Sequence, residues 1–207
     1  ISEFNNKKLN KSELAKLACK IEVEKCNKPI GMQDQYATTF GGFNKIEFKK
    51  SGVVVKEIKL SKSRLQNFKS KLLMFYTGVN RKADQILLKI KKNKNQFKHY
   101  NKLLNLVDNF EKELLSGELK NIGNILHENW ILKKDLSYKV SNLKINEIYQ
   151  TAIDAGAHGG KLLGAGGGGY FIFYVDEKKQ MSVKKSLSKL NHINFDFDKI
   201  GSQSFKF

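Results

Sequence analysis

Two stretches of this chain carry residue types that could do chemistry. The first is Gly31-Met32-Gln33-Asp34-Gln35, which opens a segment running to Gly41-Gly42-Phe43. Polar in its centre and bounded by glycine at both ends, it reads as a loop built to present side chains. Asp34 is the only acidic residue between Lys25 and Phe43. A carboxylate presented this way can take or orient a proton. It can equally close a turn on its own backbone, a common use of Asp. The second stretch is Lys161-Leu162-Leu163-Gly164-Ala165-Gly166-Gly167-Gly168-Gly169, in which five of nine residues are glycine. Such a backbone can approach a ligand with no Cβ in the way, which is a phosphate-handling composition.

Gly164, Gly166 and Gly169 satisfy GxGxxG, but that dinucleotide fingerprint needs a strand before it and a helix after it. Here the glycines lead directly into Tyr170 to Val175, six aromatic or β-branched residues bounded by Asp176, and this run reads as a strand. The order is therefore short strand, glycine loop, buried strand. Gly159-Gly160-Lys161 also lacks the spacer and the subsequent Ser or Thr of a Walker A loop. A glycine-rich hairpin with no ligand is the alternative these residues leave open.

The elements that must position these stretches come from periodicity. Lys11 to Lys25 reads as an amphipathic helix started by Ser12 without a capping box, with Glu22 and Glu24 near its C-terminal end beside Lys20 and Lys25. Phe43–Phe48 and Val53–Ile58 alternate around Lys50-Ser51-Gly52, a β-hairpin. The polar stretch Ser61 to Ser70 reads as a domain boundary, and Leu72 to Tyr76 as a buried strand ended by Thr77-Gly78. Helices are expected over 83–90, 97–115, 117–132 and 145–155, and another over 177–190. Short strands are expected at 193–197 and 203–207. Trp130 and the strand from Tyr170 read as core, and His158 as a hydrogen-bonded turn residue. Strands and helices in this order predict an α+β fold.

The chain has 207 residues, 40% of them hydrophobic, enough for one large domain or two small ones. Its apolar runs fall far below the ~18 residues needed to cross a bilayer, and no charged-then-apolar leader is visible. Cys19 and Cys26, about 10 Å apart along the predicted helix, are too distant for a disulfide and read as reduced, core-facing thiols. A cytoplasmic protein with no membrane partner is expected. The net charge is +18, yet only Arg64 and Arg81 among the 38 basic residues are arginine. Nucleic-acid readers favour arginine forks with aromatic platforms on one face, so no nucleic-acid partner is expected. A non-catalytic lysine-rich domain binding polyanions remains the alternative from another class. The chain opens at Ile1 and reads as the tail of something longer.

Four ordered motifs resemble a known family, the GHMP sugar and metabolite kinases. Gly164-Ala165-Gly166-Gly167-Gly168-Gly169 is similar to the family's C-terminal glycine motif, and Gly31 to Gln35 to the loop carrying its catalytic aspartate. More narrowly, Gln33-Asp34-Gln35-Tyr36 with Phe40-Gly41-Gly42-Phe43-Asn44, then Phe75-Tyr76-Thr77-Gly78 with Arg81, then Trp130 before Lys133-Lys134, and Gly156 to Gly164 together resemble the bacterial glycero-manno-heptose-phosphate kinases. The family's N-terminal glycine-serine loop for the ATP triphosphate has no counterpart in these residues, which makes the chain by itself an expected non-catalyst.

The resemblance implies residues 1–60 as the remainder of an N-terminal domain and 61–207 as a ferredoxin-like C-terminal domain with an antiparallel sheet and a helical layer. It implies an ATP-dependent kinase acting on a sugar phosphate, with Mg²⁺. Galactokinase-like and mevalonate kinase-like substrates stay open, as does a homo-oligomer. Asp34 is the implied catalytic base, Glu22 the implied magnesium ligand, and Gly164, Gly166, Gly167 and Gly168 the implied ATP contacts. Gln33, Gln35, Thr77, Gly78, Arg81 and Lys161 are the implied substrate contacts. Lys161 beside the glycine loop and Arg81 at a helix start have the charge to hold a substrate phosphate.

Overall fold

The computed structural model describes residues 9–80, 97–136 and 140–204, which form two compact units. One takes the chain up to Lys59 and again from Asp196; the other runs Leu60–Phe195.

In the first unit, α1 (Lys11–Cys19) starts at Asn10, not Ser12. Asn10 Oδ1 accepts from the Glu13 backbone N–H at 2.9 Å, and Glu13 Oε2 accepts from the Asn10 N–H at 2.8 Å. This is the capping box that the Ser12 reading missed, two residues upstream. After Cys19 the backbone widens into a π-helical turn, Lys20–Lys25. A π turn holds more than 3.6 residues, so the helical face rotates. Cys19 stays buried while Cys26 is exposed, which corrects the expectation of two core-facing thiols.

The expected presenting loop is instead a helix, α2 (Gln33–Phe40). Its apolar side is carried by Tyr36 and Phe40, one turn apart and stacked at 6.3 Å. Glycines at both ends disguised it as a loop. β1 (Asn44–Lys49) and β2 (Gly52–Glu57) pair antiparallel from Asn44↔Glu57 to Lys49↔Gly52, the expected hairpin. Ala15, Cys19 and Tyr36 make a small core against Phe40, Ile46 and Val55. Residues from Asp196 return to this unit: the Gly42 N–H donates to the Asp198 carbonyl at 2.6 Å, and the Lys11 ammonium bridges the carbonyls of Phe40 and Ile200.

The second unit opens with α3 (Lys62–Ser70), capped by Ser61 Oγ accepting from the Arg64 N–H at 3.2 Å. The stretch expected as a polar boundary is thus a helix; its polarity hides a narrow stripe ending in buried Phe68, edge-on to Phe110. β3 (Leu72–Tyr76) comes next, then α4 (Phe97–Leu115), α5 (Asn121–Leu136), α6 (Leu143–Asp154), β4 (Ala157–Leu162), β5 (Tyr170–Val175), α7 (Glu177–Ser186) and β6 (Asn191–Ile193). The strands form one antiparallel sheet in the order β4-β5-β3-β6. The fold is α+β. The helix expected at 83–90 lies outside the described residues.

Trp130, Phe75, Phe171 and Phe173 are fully buried, as read from the sequence, whereas Tyr170 at the loop end of β5 is 43% exposed. His158 lies on β4, not in a turn, and pairs with the Asp176 carboxylate at 2.8 Å. The strand expected at 193–197 ends at Ile193, because pairing with β3 runs out at Met74↔Ile193 and the chain then leaves the sheet. Arg64 spans the C-terminal end of α4, donating to the carbonyls of Glu113, Leu114 and Gly117, each at 2.6 Å. No described helix is long and apolar enough to cross a membrane.

Candidate functional site

The glycine loop joins β4 to β5, so its ends are fixed by the sheet: the Leu163 N–H donates to the Tyr170 carbonyl at 2.8 Å. Its middle is clamped from three other elements. At the end of β3, Thr77 is fully buried, and both its N–H and its hydroxyl donate to the Gly169 carbonyl at 2.9 and 2.8 Å. The same hydroxyl accepts from the Val79 N–H, and the Val79 carbonyl accepts from the Gly169 N–H at 2.9 Å. The Val140 carbonyl accepts from Gly167 at 2.7 Å. From α5, the Lys133 ammonium reaches the carbonyls of Leu162 and Gly164.

This clamp explains the glycines. A Cβ on Gly168 would stand 2.3 Å from the Val79 carbonyl oxygen, so that position has no room for a side chain. Gly166 has φ +103° and lies against Val140, a conformation and a contact that L side chains resist. Among the described residues, the N–H groups of Gly164, Ala165, Gly166 and Gly168 donate to no backbone carbonyl. Successive free N–H groups in a glycine loop make a concave anion site.

In the other unit, Asp34 occupies the first turn of α2, exposed, where the helix dipole favours a carboxylate. Its carboxylate makes no hydrogen bond or ion pair among the described residues, so the turn-closing use of this Asp is absent. Gln33, the first residue of α2, is exposed beside it. Gln35 points the other way: it is buried, and its amide Nε2 donates to Glu22 Oε2 at 2.6 Å. Glu22 sits on the π-helical turn, exposed, and its charge, second to burial, helps push the Cys19 thiol pKa upward.

Of the other sequence-predicted residues, Gly78 is exposed with φ +68° next to the clamp. Thr77 spends its hydroxyl on the loop, which makes it a positioning residue. Arg81 lies outside the described residues. Lys161 departs from expectation: though adjacent in sequence to the glycine loop, its side chain lines an apolar cavity with residues of α4 and α5 and no loop residue. Strand alternation turned it there, since Lys161 shares the α5-facing side of β4 with Gly159. Sequence reasoning missed Lys133 and Val140 as loop holders. The Trp130-to-Lys134 motif marked the first by position only, and a backbone carbonyl leaves no sequence signal.

The GHMP kinases N-terminal domain family model matches residues 1–42, and the GHMP kinases C-terminal family model matches residues 110–192. The chain belongs to the GHMP kinase family. It is 33% identical to the D-glycero-alpha-D-manno-heptose 7-phosphate kinase of Campylobacter jejuni, over 99% of this chain and 62% of that protein. It is 25% identical to the galactokinase of Thermococcus kodakarensis, over 92% of this chain and 61% of that one. Among solved structures, a D-glycero-D-manno-heptose 1-phosphate kinase from Bacteroides thetaiotaomicron aligns with TM-score 0.73 and 26% identity, covering 100% of this chain and 58% of that one. The chain thus spans about three-fifths of the length of these relatives.

Proposed function

We propose that the protein transfers the γ-phosphoryl group of ATP to a hydroxyl of a phosphorylated seven-carbon sugar, a glycero-manno-heptose 7-phosphate. The observation that carries this reading is the clamped glycine loop, whose undonated N–H groups suit phosphate oxygens in a backbone that needs no reorganisation to meet them. The acceptor rests on the likeness to the Campylobacter enzyme along nearly the whole chain.

Phosphoryl transfer asks a protein chiefly for positioning and charge neutralisation. Asp34, a first-turn carboxylate of α2 with no partner among the described residues, takes or orients the proton of the attacking hydroxyl. Gln33 beside it has the donor and acceptor needed to hold a neighbouring sugar hydroxyl. Arg81, with a planar fork that fits phosphate, is the candidate for the phosphate already on the sugar. The donor set fits Mg²⁺, because that ion takes one or two protein carboxylates and fills its other positions with water and substrate phosphates. Among the described residues no cluster of three or more His, Cys, Asp or Glu is present, so Glu22 would supply that single carboxylate, oriented by Gln35. When bound, the ion neutralises phosphate charge.

The test is a panel of galactose, mevalonate, heptose 1-phosphate and heptose 7-phosphate with ATP and Mg²⁺, run on the intact enzyme that carries the triphosphate loop, monitoring ADP release and the mass of the product. Heptose 7-phosphate should give the highest kcat/KM. Preference for an unphosphorylated acceptor would overturn the heptose assignment, and no transfer to any acceptor would overturn the kinase reading.

A further inference from the structure

Lys161 points into a cavity of about 250 Å³ walled by Leu106, Val107 and Phe110 of α4 and by Ile125 and Leu126 of α5. Among the described residues, the only other polar side chain in the lining is Asn129. Neither the Lys161 ammonium nor the Asn129 amide has a hydrogen-bond or ion-pair partner among the described residues. Burial lowers the Lys161 pKa, as expected for an ammonium held against hydrocarbon.

An ammonium held against apolar walls, with no partner among the described residues, is better placed once an anion neutralises it. A ligand that answers the walls and the ammonium together has an apolar body and one negative charge. A single ammonium, with no second cation and no helix start among the described lining residues, is poorly matched to a phosphate dianion. The volume, below the ~300–1,000 Å³ typical of small-molecule sites, limits the occupant to a compact one. Neither ATP nor a polyhydroxylated sugar phosphate suits these walls, so the site goes beyond the reaction proposed above.

We propose that this cavity binds a small apolar monocarboxylate, with the Lys161 ammonium and the Asn129 amide meeting the carboxylate and α4 and α5 enclosing the hydrocarbon. The pairing gives both polar groups a partner at once and uses no residue of the glycine loop.

Calorimetric titration of the protein with octanoate, octanol and octylamine tests it. Octanoate should bind, octanol more weakly, and octylamine not detectably. Lys161→Met keeps the packing and removes the charge; it should weaken octanoate about tenfold or more, the size of a hydrogen bond to a charged group, and leave octanol nearly unchanged. Val107 is 47% exposed at the cavity, so Val107→Glu should fold normally and abolish binding of both. As a readout independent of affinity, octanoate should protect Lys161, among all the lysines, from amine labelling read by peptide mass spectrometry. Equal binding of octanoate and octylamine, unchanged octanoate affinity in either variant, no octanoate binding at millimolar concentration, or labelling of Lys161 indifferent to octanoate would each overturn the proposal.

Discussion

The side-chain amide of Gln35 donates to the carboxylate of Glu22 at 2.6 Å, tying the first turn of α2 to the π-helical turn after α1. Gln35 is buried and Glu22 exposed, so the amide is the anchor and the carboxylate is what it aims. Gln35→Met keeps the length and loses the hydrogen bond. Because Glu22 is solvated, the loss of stability in urea unfolding should fall near about 1.5 kcal/mol, the low end for a bond to a charged group. If Glu22 holds Mg²⁺ in the proposed reaction, the Mg²⁺ concentration for half-maximal rate of the intact enzyme should rise about tenfold, the usual lower cost of disturbing a residue that orients a metal ligand. Glu22→Gln should raise it further. Unaltered Mg²⁺ dependence in both variants would remove Glu22 from the metal site.

Asp34→Asn separates chemistry from folding. Losing the first-turn charge should cost only about 0.3–1 kcal/mol of stability, the size of a helix-dipole interaction. If Asp34 handles the hydroxyl proton, kcat should fall by about 10² to 10⁴ with both KM values little changed. A loss near the smaller figure fits a loose transition state that asks little of a base. A folded variant turning over at the wild-type rate would end that role.

Two alanine substitutions in the glycine loop should behave differently. Gly164 has φ +71° with open space around it, so Gly164→Ala should cost about 1–2 kcal/mol for the left-handed backbone alone. Gly168→Ala drives a Cβ into the Val79 carbonyl and must push the loop off β3, so it should destabilise more and weaken ATP binding as well. Small and equal losses, read from urea midpoints and nucleotide affinity, would count against the clamp.

Burial pushes the Tyr149 hydroxyl up to about 12, and burial with the neighbouring Asp176 charge does the same for Tyr174. A raised pKa means the folded state holds a proton that the unfolded chain releases near 10. Stability from these two groups is therefore complete below pH 10 and is lost as pH rises from there through 12. Absorbance at 295 nm should show Tyr149 and Tyr174 resisting ionisation until alkaline unfolding releases them cooperatively. Ionisation of all seven tyrosines near pH 10 with the fold intact would contradict the burial.

The hairpin β1–β2, strand β3, helix α4 and the β4–glycine loop–β5 unit were legible in the sequence. Each is a local pattern of period 2 or 3.6 with its own punctuation, and alternating Val53 to Ile58 or glycine-dense 164–169 needs no distant partner to declare itself. The family was legible for a related reason, since motif order survives in one dimension. Asp34 could likewise be picked out as the lone carboxylate of its segment.

Other features were decided only by tertiary structure, because they depend on what stands opposite. Gly31 and Gly41 made 31–43 look like a loop, and the face that Tyr36 and Phe40 share becomes a helix only where α1 and the hairpin cover it. Ser61–Ser70 read as a polar domain boundary, and the units do divide beside it at Lys59 and Leu60, but that the stretch is a helix shows only where Phe68 packs against Phe110. The π turn rotated Cys26 to solvent against its heptad spacing from Cys19. Lys161 is three residues from Gly164 in the chain, but strand alternation and the packing of α4 and α5 turn its side chain to an apolar pocket instead of the glycine loop. The carbonyls of Val79 and Val140 that hold the glycine loop belong to the backbone, which every residue carries alike, so no sequence pattern could have named them.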